Sequence, residues 1–318
     1  MNILLQKLKK QRIAEGNLIL IILVIIIFLA FVAPTFLTFG NIKNLVRQTS
    51  ITGIVALGMT FVIISGGIDL SVGSLLGVAS IVSAMLMKGG VGIFPAILVS
   101  LLVCVFLGII NGVVIHDGRV PPFITTLGMM TASRGIVMLL SGARMIAGLP
   151  KPFTSFAQKT ILGLPTLFFV WVLIIIATYV LTSRSVLGRN MFAYGSNLEA
   201  ARLSGINIRK TTYFVYGISG LLAGVAGVLM TSRLANGIPT AGTGYELDAI
   251  AAAVVGGASL SGGSGTIIGT VLGAFLIAII QNGGNLLGIN SFILEIAVGV
   301  LIVVSVMIDQ RKKGLGKS

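Results

Sequence analysis

The feature that most constrains this fold is a succession of apolar runs, each close to the length of a membrane-spanning helix. A helix needs about twenty apolar residues to cross the hydrocarbon core of a bilayer. Counted in this way, the candidate spans are roughly 18–38, 51–65, 70–87, 92–115, 123–142, 162–182, 212–233, 245–258, 264–281 and 291–308. Two of these spans, 51–65 and 245–258, are shorter than a comfortable crossing.

Composition supports a membrane protein. The chain is 56% hydrophobic and only 9% charged, which is too apolar for a water-soluble domain of 318 residues. We therefore predict an all-α, polytopic transmembrane bundle of about ten spans. The whole chain, residues 1–318, is predicted to form a single domain.

The distribution of basic residues predicts the orientation of the bundle. With the N-terminus inside, ten crossings also put the C-terminus inside. Fourteen Lys and Arg then fall in cytoplasmic segments, seven in external ones, and Arg134 within a span. Basic residues near span ends resist translocation, which favours this orientation. The net charge of +14 is divided among separate segments, so nucleic acid is not expected as a partner. The basic residues at the two termini are Lys7, Lys9, Lys10, Arg12, Arg311, Lys312, Lys313 and Lys317.

A polar segment at 184–210 interrupts the apolar pattern and carries five Lys or Arg against one acid. Its centre predicts a short helix of its own. Asn197 can cap the start, Glu199 lies in the first turn, where the helix dipole favours a negative charge, and Gly205 can end the helix. A short, capped helix on the cytoplasmic side is expected to contact a partner.

Two glycine- and serine-rich stretches predict helices that break at membrane depth. The first is SGGIDLSVGS at 65–74, where Gly66 and Gly67 weaken a helix and Asp69 or Ser71 can cap the next one. The second, GGASLSGGS at 256–264, agrees with the first at six of nine positions. Paired interruptions in two halves of a transporter point to the translocation pathway.

Asp69 allows two interpretations. An acid within a membrane is by default a functional residue, here a proton or cation site. Its sequence surroundings also suit a helix cap at the cytoplasmic edge, and capping is the favoured interpretation. Glu246 and Asp248, which open the eighth predicted span from the outside, are interpreted in the same way.

Other polar residues are candidates for the solute pathway or for docking. Two interpretations fit Gln281, Asn282 and Asn285 equally well: they bind a neutral polyhydroxylated solute, or they form contacts between helices. The longest external loop, about 143–161, is either a plain connector or a docking surface for an extracytoplasmic partner. The residues singled out as external docking candidates are Lys151, Lys159 and Glu246.

No catalytic, cofactor or metal site is predicted. His116 is the only histidine and Cys104 the only cysteine, so histidine-based metal sites, catalytic triads and disulfides have no basis. The chain has no G-x-x-x-x-G-K-[ST] motif for phosphate binding. An ATP-driven mechanism would therefore need a second polypeptide.

Three segments together resemble the membrane-spanning permeases of bacterial monosaccharide ABC importers, in the class that handles ribose, xylose and galactose, and the ribose members most of all. They are SGGIDLSVGS at 65–74, GRNMFAYGSNLEAARLSGI at 188–206 and PTAGTGYELDAIAAAVVGGASLSGGSG at 239–265. The likeness runs from about residue 18 to 309. It leaves the identity of the sugar open.

This resemblance implies a transport subunit of the cytoplasmic (inner) membrane that is not itself an enzyme. Glu199, Ala200, Ala201 and Gly205 match the EAA-x-x-x-G loop of such permeases, and this loop forms a coupling helix that docks into the ATPase, with Leu203 packing beside it. The implied partners are a second copy of the chain, an ATPase with two fused nucleotide-binding domains, a sugar-binding protein and a monosaccharide. The alternative is a secondary transporter that uses Asp69 as an ion or proton site.

Overall fold

The computed structural model describes residues 2–314, with side chains for 15–307 and 309–311. Apart from Arg311, the basic side chains near the termini that support the predicted orientation lie outside the described residues. The described chain folds into helices and one small hairpin. The elements are α1 (Asn2–Val32), α2 (Phe39–Ile64), α3 (Val72–Lys88), α4 (Ile93–His116), α5 (Pro122–Ser141), α6 (Lys151–Phe156), β1 (Thr160–Ile161), β2 (Leu164–Pro165), α7 (Thr166–Arg184), α8 (Val186–Ser196), α9 (Leu198–Leu203), α10 (Ile208–Leu234), α11 (Tyr245–Val255), α12 (Ile267–Leu286) and α13 (Ser291–Gly314).

The predicted polytopic helical bundle is confirmed. Among the described residues, eight helices are long and apolar enough to cross a membrane: α1, α2, α4, α5, α7, α10, α12 and α13. The predicted span 51–65 is the second half of α2, which begins twelve residues earlier, at Phe39. The third and eighth predicted spans correspond to α3 and α11, which are shorter helices of 17 and 11 residues.

The centre of the bundle is formed by α2, α3 and α10. All residues of α2 from Thr49 to Ile64 are buried, and most of α3 and α10 is buried as well. By contrast, α1, α4, α5, α7 and α13 carry many exposed large apolar side chains. Exposed apolar side chains on outer helices are stable where the surrounding solvent is lipid.

Glycines allow the inner helices to approach each other closely. A Cβ atom on Gly220 of α10 would overlap the carbonyl oxygen of Cys104 on α4. In the same way, a Cβ atom on Gly273 of α12 would overlap the carbonyl oxygen of Ala252 on α11. Small residues at such contacts let helix backbones pack tightly without a hydrophobic driving force between them.

The segment 235–244, after α10, folds back along α3 into the bundle, and we call it the re-entrant segment. The backbone N–H of Ile238 is 3.3 Å from the Ser80 hydroxyl oxygen of α3. Farther along, Gly242 lies against Gly73 in the first turn of α3. Consequently α11 begins in the interior and not at the external surface, which corrects the prediction that Glu246 and Asp248 open a span from outside. With 11 residues, α11 is about 16 Å long, roughly half the hydrocarbon thickness.

The loop that is predicted to be external is ordered by its contacts with the end of α10. The Ser232 hydroxyl donates to the carbonyl oxygen of Phe153 in α6 at 2.6 Å, and the Gln158 amide donates to the Arg233 carbonyl oxygen at 3.1 Å. A two-residue turn at Leu162 and Gly163, both with positive φ, joins β1 to β2. The loop is therefore a folded cap and not an extended connector.

Candidate functional site

The short helix predicted within the polar segment is present as α9. The side-chain oxygen of Asn197 accepts a hydrogen bond from the backbone N–H of Ala200 at 2.9 Å, which caps the first turn. At the other end, Gly205 adopts a φ of +76°, and the N–H of Ile206 bonds to the Ala201 carbonyl oxygen at 3.1 Å. The left-handed conformation at Gly205 is the usual way for a glycine to end a helix. Both caps are confirmed.

Exposure divides the predicted coupling residues into two groups. Glu199, Ala200 and Gly205 are exposed, and the Leu203 side chain is 85% exposed. Ala201 is only 3% exposed, so its side chain lies on the inward face of α9. Ala201 therefore anchors the helix, which corrects its assignment as a contact residue. The remaining residues form an outward-facing surface with one large apolar side chain.

The first helix break lies between α2 and α3 and is held by Asp69. Gly66 turns the chain with a φ of +83°, and Gly67 packs so closely on the Tyr216 hydroxyl that a Cβ atom would overlap it. The Asp69 carboxylate is fully buried and accepts from the backbone N–H of Ser71 at 3.0 Å and from its hydroxyl at 2.5 Å. Asp69 thus closes a turn directly before α3. It does not cap the helix, because Ser71 is the N-cap residue and α3 has no side-chain cap bond, so the capping interpretation is wrong in this respect.

Asp69 and Ser71 connect the break to two other helices. The Ser219 hydroxyl of α10 donates to Asp69 Oδ2 at 2.8 Å, and the Asn111 amide of α4 donates to the Ser71 hydroxyl oxygen at 3.0 Å. Ser71 makes no side-chain cap bond to α3. Both oxygens of Asp69 are therefore occupied by donors of the protein itself.

The two helix breaks meet each other. The backbone N–H of Gly263 donates to the carbonyl oxygen of Ile64 at 2.8 Å. A Cβ atom on Gly262 would lie 3.0 Å from Cα of Gly66. Sequence similarity suggested that the stretches at 65–74 and 256–264 are related, and the fold brings them into direct contact.

The polar residues near the end of α12 lie in a hydrogen-bonded layer. Gln281 donates to both carboxylate oxygens of Asp248 at 3.0 Å and accepts from Gln48 of α2 at 3.0 Å. Asn282 and Asn41 exchange two amide hydrogen bonds of 2.9 Å. Asn285 is exposed at the end of the helix. Two of the three predicted pathway residues thus join helices α2, α11 and α12.

The three predicted docking residues lie in different environments. Lys151 at the start of α6 and Lys159 before β1 are exposed. Glu246 is half-buried, and its carboxylate lies against Gly73 at the start of α3. Gly73 is fifteen residues before Lys88, the end of α3 that is predicted to face outside. Glu246 is therefore an interior residue, which corrects its assignment to the docking surface.

Arg134 is a charged side chain to which the sequence assigned no role. Its guanidinium, on α5, donates to the carbonyl oxygens of Pro239 at 2.8 Å and Ala241 at 3.0 Å. These bonds tie the re-entrant segment to α5. The guanidinium also lies 3.5 Å from the carbonyl oxygen of Gly73 in α3. The sequence did contain a signal for Arg134: a charged residue within an apolar span is costly, and such residues are usually functional.

Asp117, directly after α4, forms a polar contact with α10 near α9. The Arg209 guanidinium lies 2.9 Å from the Asp117 carboxylate, and the Tyr213 hydroxyl donates to the same oxygen. The hydrogen bond from Tyr213, together with the Arg209 guanidinium, lowers the pKa of Asp117 below its ordinary value. Asp117 therefore remains ionised, and the pair intact, at neutral pH.

Comparison with known proteins assigns this architecture to a family. A family model described as "branched-chain amino acid transport system / permease component" matches residues 41–308. The chain is 42% identical to the ribose import permease of Bacillus subtilis, over 88% of this chain and 87% of that protein. The chain belongs to this family of transport permeases.

Other relatives of this permease are named for different sugars. It is 38% identical to the D-allose transport system permease of Escherichia coli, over 86% of this chain and 85% of that protein. It is 36% identical to the galactose/methyl galactoside import permease of the same species, over 94% and 95%. No solved structure shows a significant match.

Family membership confirms the resemblance found in the sequence. The protein is a multi-pass permease subunit of the cytoplasmic membrane, and the chemistry of ATP hydrolysis belongs to a separate subunit. Permeases of this family associate with an ATPase and a substrate-binding protein.

Proposed function

We propose that this permease carries a monosaccharide into the cell, with ribose as the first candidate, and that ATP hydrolysis by a partner subunit drives the import. The observation that carries the proposal is α9, a capped helix whose Leu203 side chain is 85% exposed in a polar, basic segment. An apolar anchor surrounded by polar residues is typical of a protein contact. The 42% identity to a ribose import permease supports the choice of substrate.

The proposed assembly contains two copies of the permease and an ATPase with two fused nucleotide-binding domains. Each permease presents one α9 to one nucleotide-binding domain, so that ATP binding displaces both helices. In this arrangement α9, the chain termini and Asp117 face the cytoplasm. The folded loop with Lys151 and Lys159 faces outward, where a sugar-binding protein can dock on it.

Weak contacts suffice for the pathway, because the binding protein selects the sugar before delivery. The amide and carboxylate groups of Gln48, Asp248 and Gln281 suit a neutral, hydroxyl-rich solute, since each can donate or accept hydrogen bonds. We assign these residues and the exposed Asn285 to the pathway.

Uptake of labelled ribose into proteoliposomes tests the proposal. The permease is reconstituted with its ATPase and binding protein, and each component is omitted in turn. Uptake should require all three components and internal ATP, and unlabelled ribose should compete more strongly than allose or galactose. Uptake without ATP, or without the binding protein, would contradict the proposal.

The alternative, an ion-coupled transporter built on Asp69, finds no supporting geometry. The Asp69 carboxylate is completely buried, and hydroxyl or N–H donors of Ser71 and Ser219 occupy both of its oxygens. A protonophore added to the same proteoliposomes separates the two functions, because it would abolish ion-coupled uptake and leave ATP-driven uptake unchanged.

A further inference from the structure

The end of α8 lies between the two helix breaks. Gly195 packs on the carbonyl oxygen of Ile64 so closely that a Cβ atom would overlap it. Gly262, in the second break, packs equally closely on the carbonyl oxygen of Gly195. Three separate segments of the chain therefore meet through backbone atoms alone. We call this contact of Ile64, Gly66, Gly195, Gly262 and Gly263 the glycine junction.

Gly195, which α8 contributes to the glycine junction, lies two residues before the cap of α9. Ser196 is the residue after Gly195 and lies against Gly263, where a Cβ atom would be 2.8 Å from Cα of Ser196. The next residue is Asn197, whose side chain caps α9. No flexible linker separates the junction from the helix, because the N–H of Asn197 still bonds to the Ala193 carbonyl oxygen of α8 at 3.1 Å.

Such a backbone contact is suited to transmitting force. Long side chains can change rotamer and absorb a displacement, whereas backbone groups in contact cannot. The two breaks are also linked directly by the 2.8 Å bond from Gly263 to Ile64, so they cannot move apart without losing it. A displacement of α9 would therefore act, through α8, on the end of α2 and on the second helix break at the same time.

We propose that the glycine junction is a permanent link that carries the movement of α9 to both helix breaks, with Gly195 as its positioning residue. This inference rests on the proposed function, since it requires α9 to be displaced by an ATPase. It differs from docking, because it assigns to Gly195 a role in the movement that comes after the ATPase has bound.

The first test is Gly195→Ala, whose added methyl group must force α8 away from Ile64. The matched control is Gly220→Ala, which creates the same kind of clash with a carbonyl oxygen at the α4–α10 contact, away from α8. For each variant, we would measure binding of the ATPase subunit and the ratio of ATP hydrolysis with and without sugar-loaded binding protein. Gly195→Ala should bind the ATPase normally and lower this ratio about tenfold, within the usual range of coupling between sites. In the folded fraction of the control variant, the ratio of ATP hydrolysis should equal that of the unmodified permease.

The second test locks the junction closed, whereas the first test loosens it. A Cβ atom at residue 263 would lie 3.0 Å from Cβ of Ser196, which is closer than the separation of about 3.5–4.5 Å in a disulfide. Gly263 also has a φ of +71°, so the single variant Gly263→Cys must first be shown to import sugar. The double variant Ser196→Cys, Gly263→Cys should import sugar equally well when oxidised and when reduced, because the link stays closed throughout the cycle. Each single-cysteine variant serves as its control, and the native Cys104 is fully buried.

Three results would overturn the inference: normal coupling in Gly195→Ala, loss of ATPase binding in that variant, or loss of uptake when the disulfide forms. Sugar import by the unmodified permease, measured in parallel, tests the proposed function itself. If it imported sugar without ATP, the proposed function would fail irrespective of the variants.

Discussion

The carboxylate of Asp69 is held by donors from its own turn and from α10. The backbone N–H and hydroxyl of Ser71 and the hydroxyl of Ser219 all point to it, and no side chain of opposite charge forms an ion pair with it in the part of the chain that is described. A buried carboxylate without a counter-ion carries a desolvation cost, which these hydrogen-bond donors offset in part. Asp69 therefore links the first helix break to its neighbours through hydrogen bonds.

Substitution of Asp69 should separate hydrogen bonding from charge. Asp69→Asn keeps one acceptor oxygen, and its amide can donate to a serine hydroxyl that rotates to accept. This variant should fold and import sugar at a rate close to that of the unmodified permease. Asp69→Ala leaves the donors of Ser71 and Ser219 unpaired, which should lower the free energy of unfolding by about 1–3 kcal/mol for each group.

Thermal unfolding in detergent and ATP-driven uptake are the two measurements for this pair. A folded Asp69→Asn variant that imports no sugar would show that the negative charge takes part in transport. That result would favour the ion-coupled alternative.

At this scale the sequence identified charged residues but not their partners. Asp69 stood out as an acid in an apolar chain, and Arg134 as a base within a span. The partners of Arg134 are carbonyl oxygens more than a hundred residues away, and Ser219 is 150 residues from Asp69. Carbonyl oxygens are present at every residue, so no sequence pattern can indicate which of them a guanidinium will meet.

Helix α9 could be predicted because its determinants are local. Its cap, its first-turn acid and its terminal glycine all lie within nine residues, 197–205, and each acts on the backbone beside it. Ala201 was misassigned because the sequence alone does not reveal which face of a six-residue helix turns inward. The re-entrant segment and the interior start of α11 could not be predicted, since they depend on contacts with α3 and α5.

The exposed leucine of α9 should contribute to ATPase binding without stabilising the permease. Leu203→Asp places a charge where the contact surface is apolar, and we expect binding of the ATPase subunit to weaken by about 2 kcal/mol, or roughly thirtyfold. Because Leu203 is 85% exposed, thermal stability should be unchanged.

The matched control for Leu203 is Leu162→Asp, which changes a leucine that is 94% exposed in the β1–β2 turn, before α7. Binding can be measured by co-purification and titration with the isolated ATPase. Equal weakening in both variants, or none in Leu203→Asp, would remove α9 from the interface.

The proposed orientation of the whole bundle in the membrane can be tested by labelling from outside the cell. Leu162 and Leu203 lie before and after α7, a helix of 19 residues that is long enough to cross the membrane. In cells, a membrane-impermeant maleimide should label Leu162→Cys directly. It should label Leu203→Cys only after the membrane is permeabilised. Cys104 is fully buried and gives no background. The opposite pattern would place α9 outside and exclude a cytoplasmic ATPase as its partner.

The short length of α11 has a consequence for the way the protein enters the membrane. A helix of about 16 Å cannot cross a bilayer, and its ends would leave backbone N–H and C=O groups without partners in lipid. The re-entrant segment before it faces the same difficulty, which Arg134 and Ser80 resolve by supplying hydrogen-bonding partners from α5 and α3. Residues 235–255 therefore cannot be released into the bilayer as a unit during synthesis. Their insertion has to wait for a protein surface to receive them, which makes the assembly of this half of the permease a folding step and not a sequence of independent insertions.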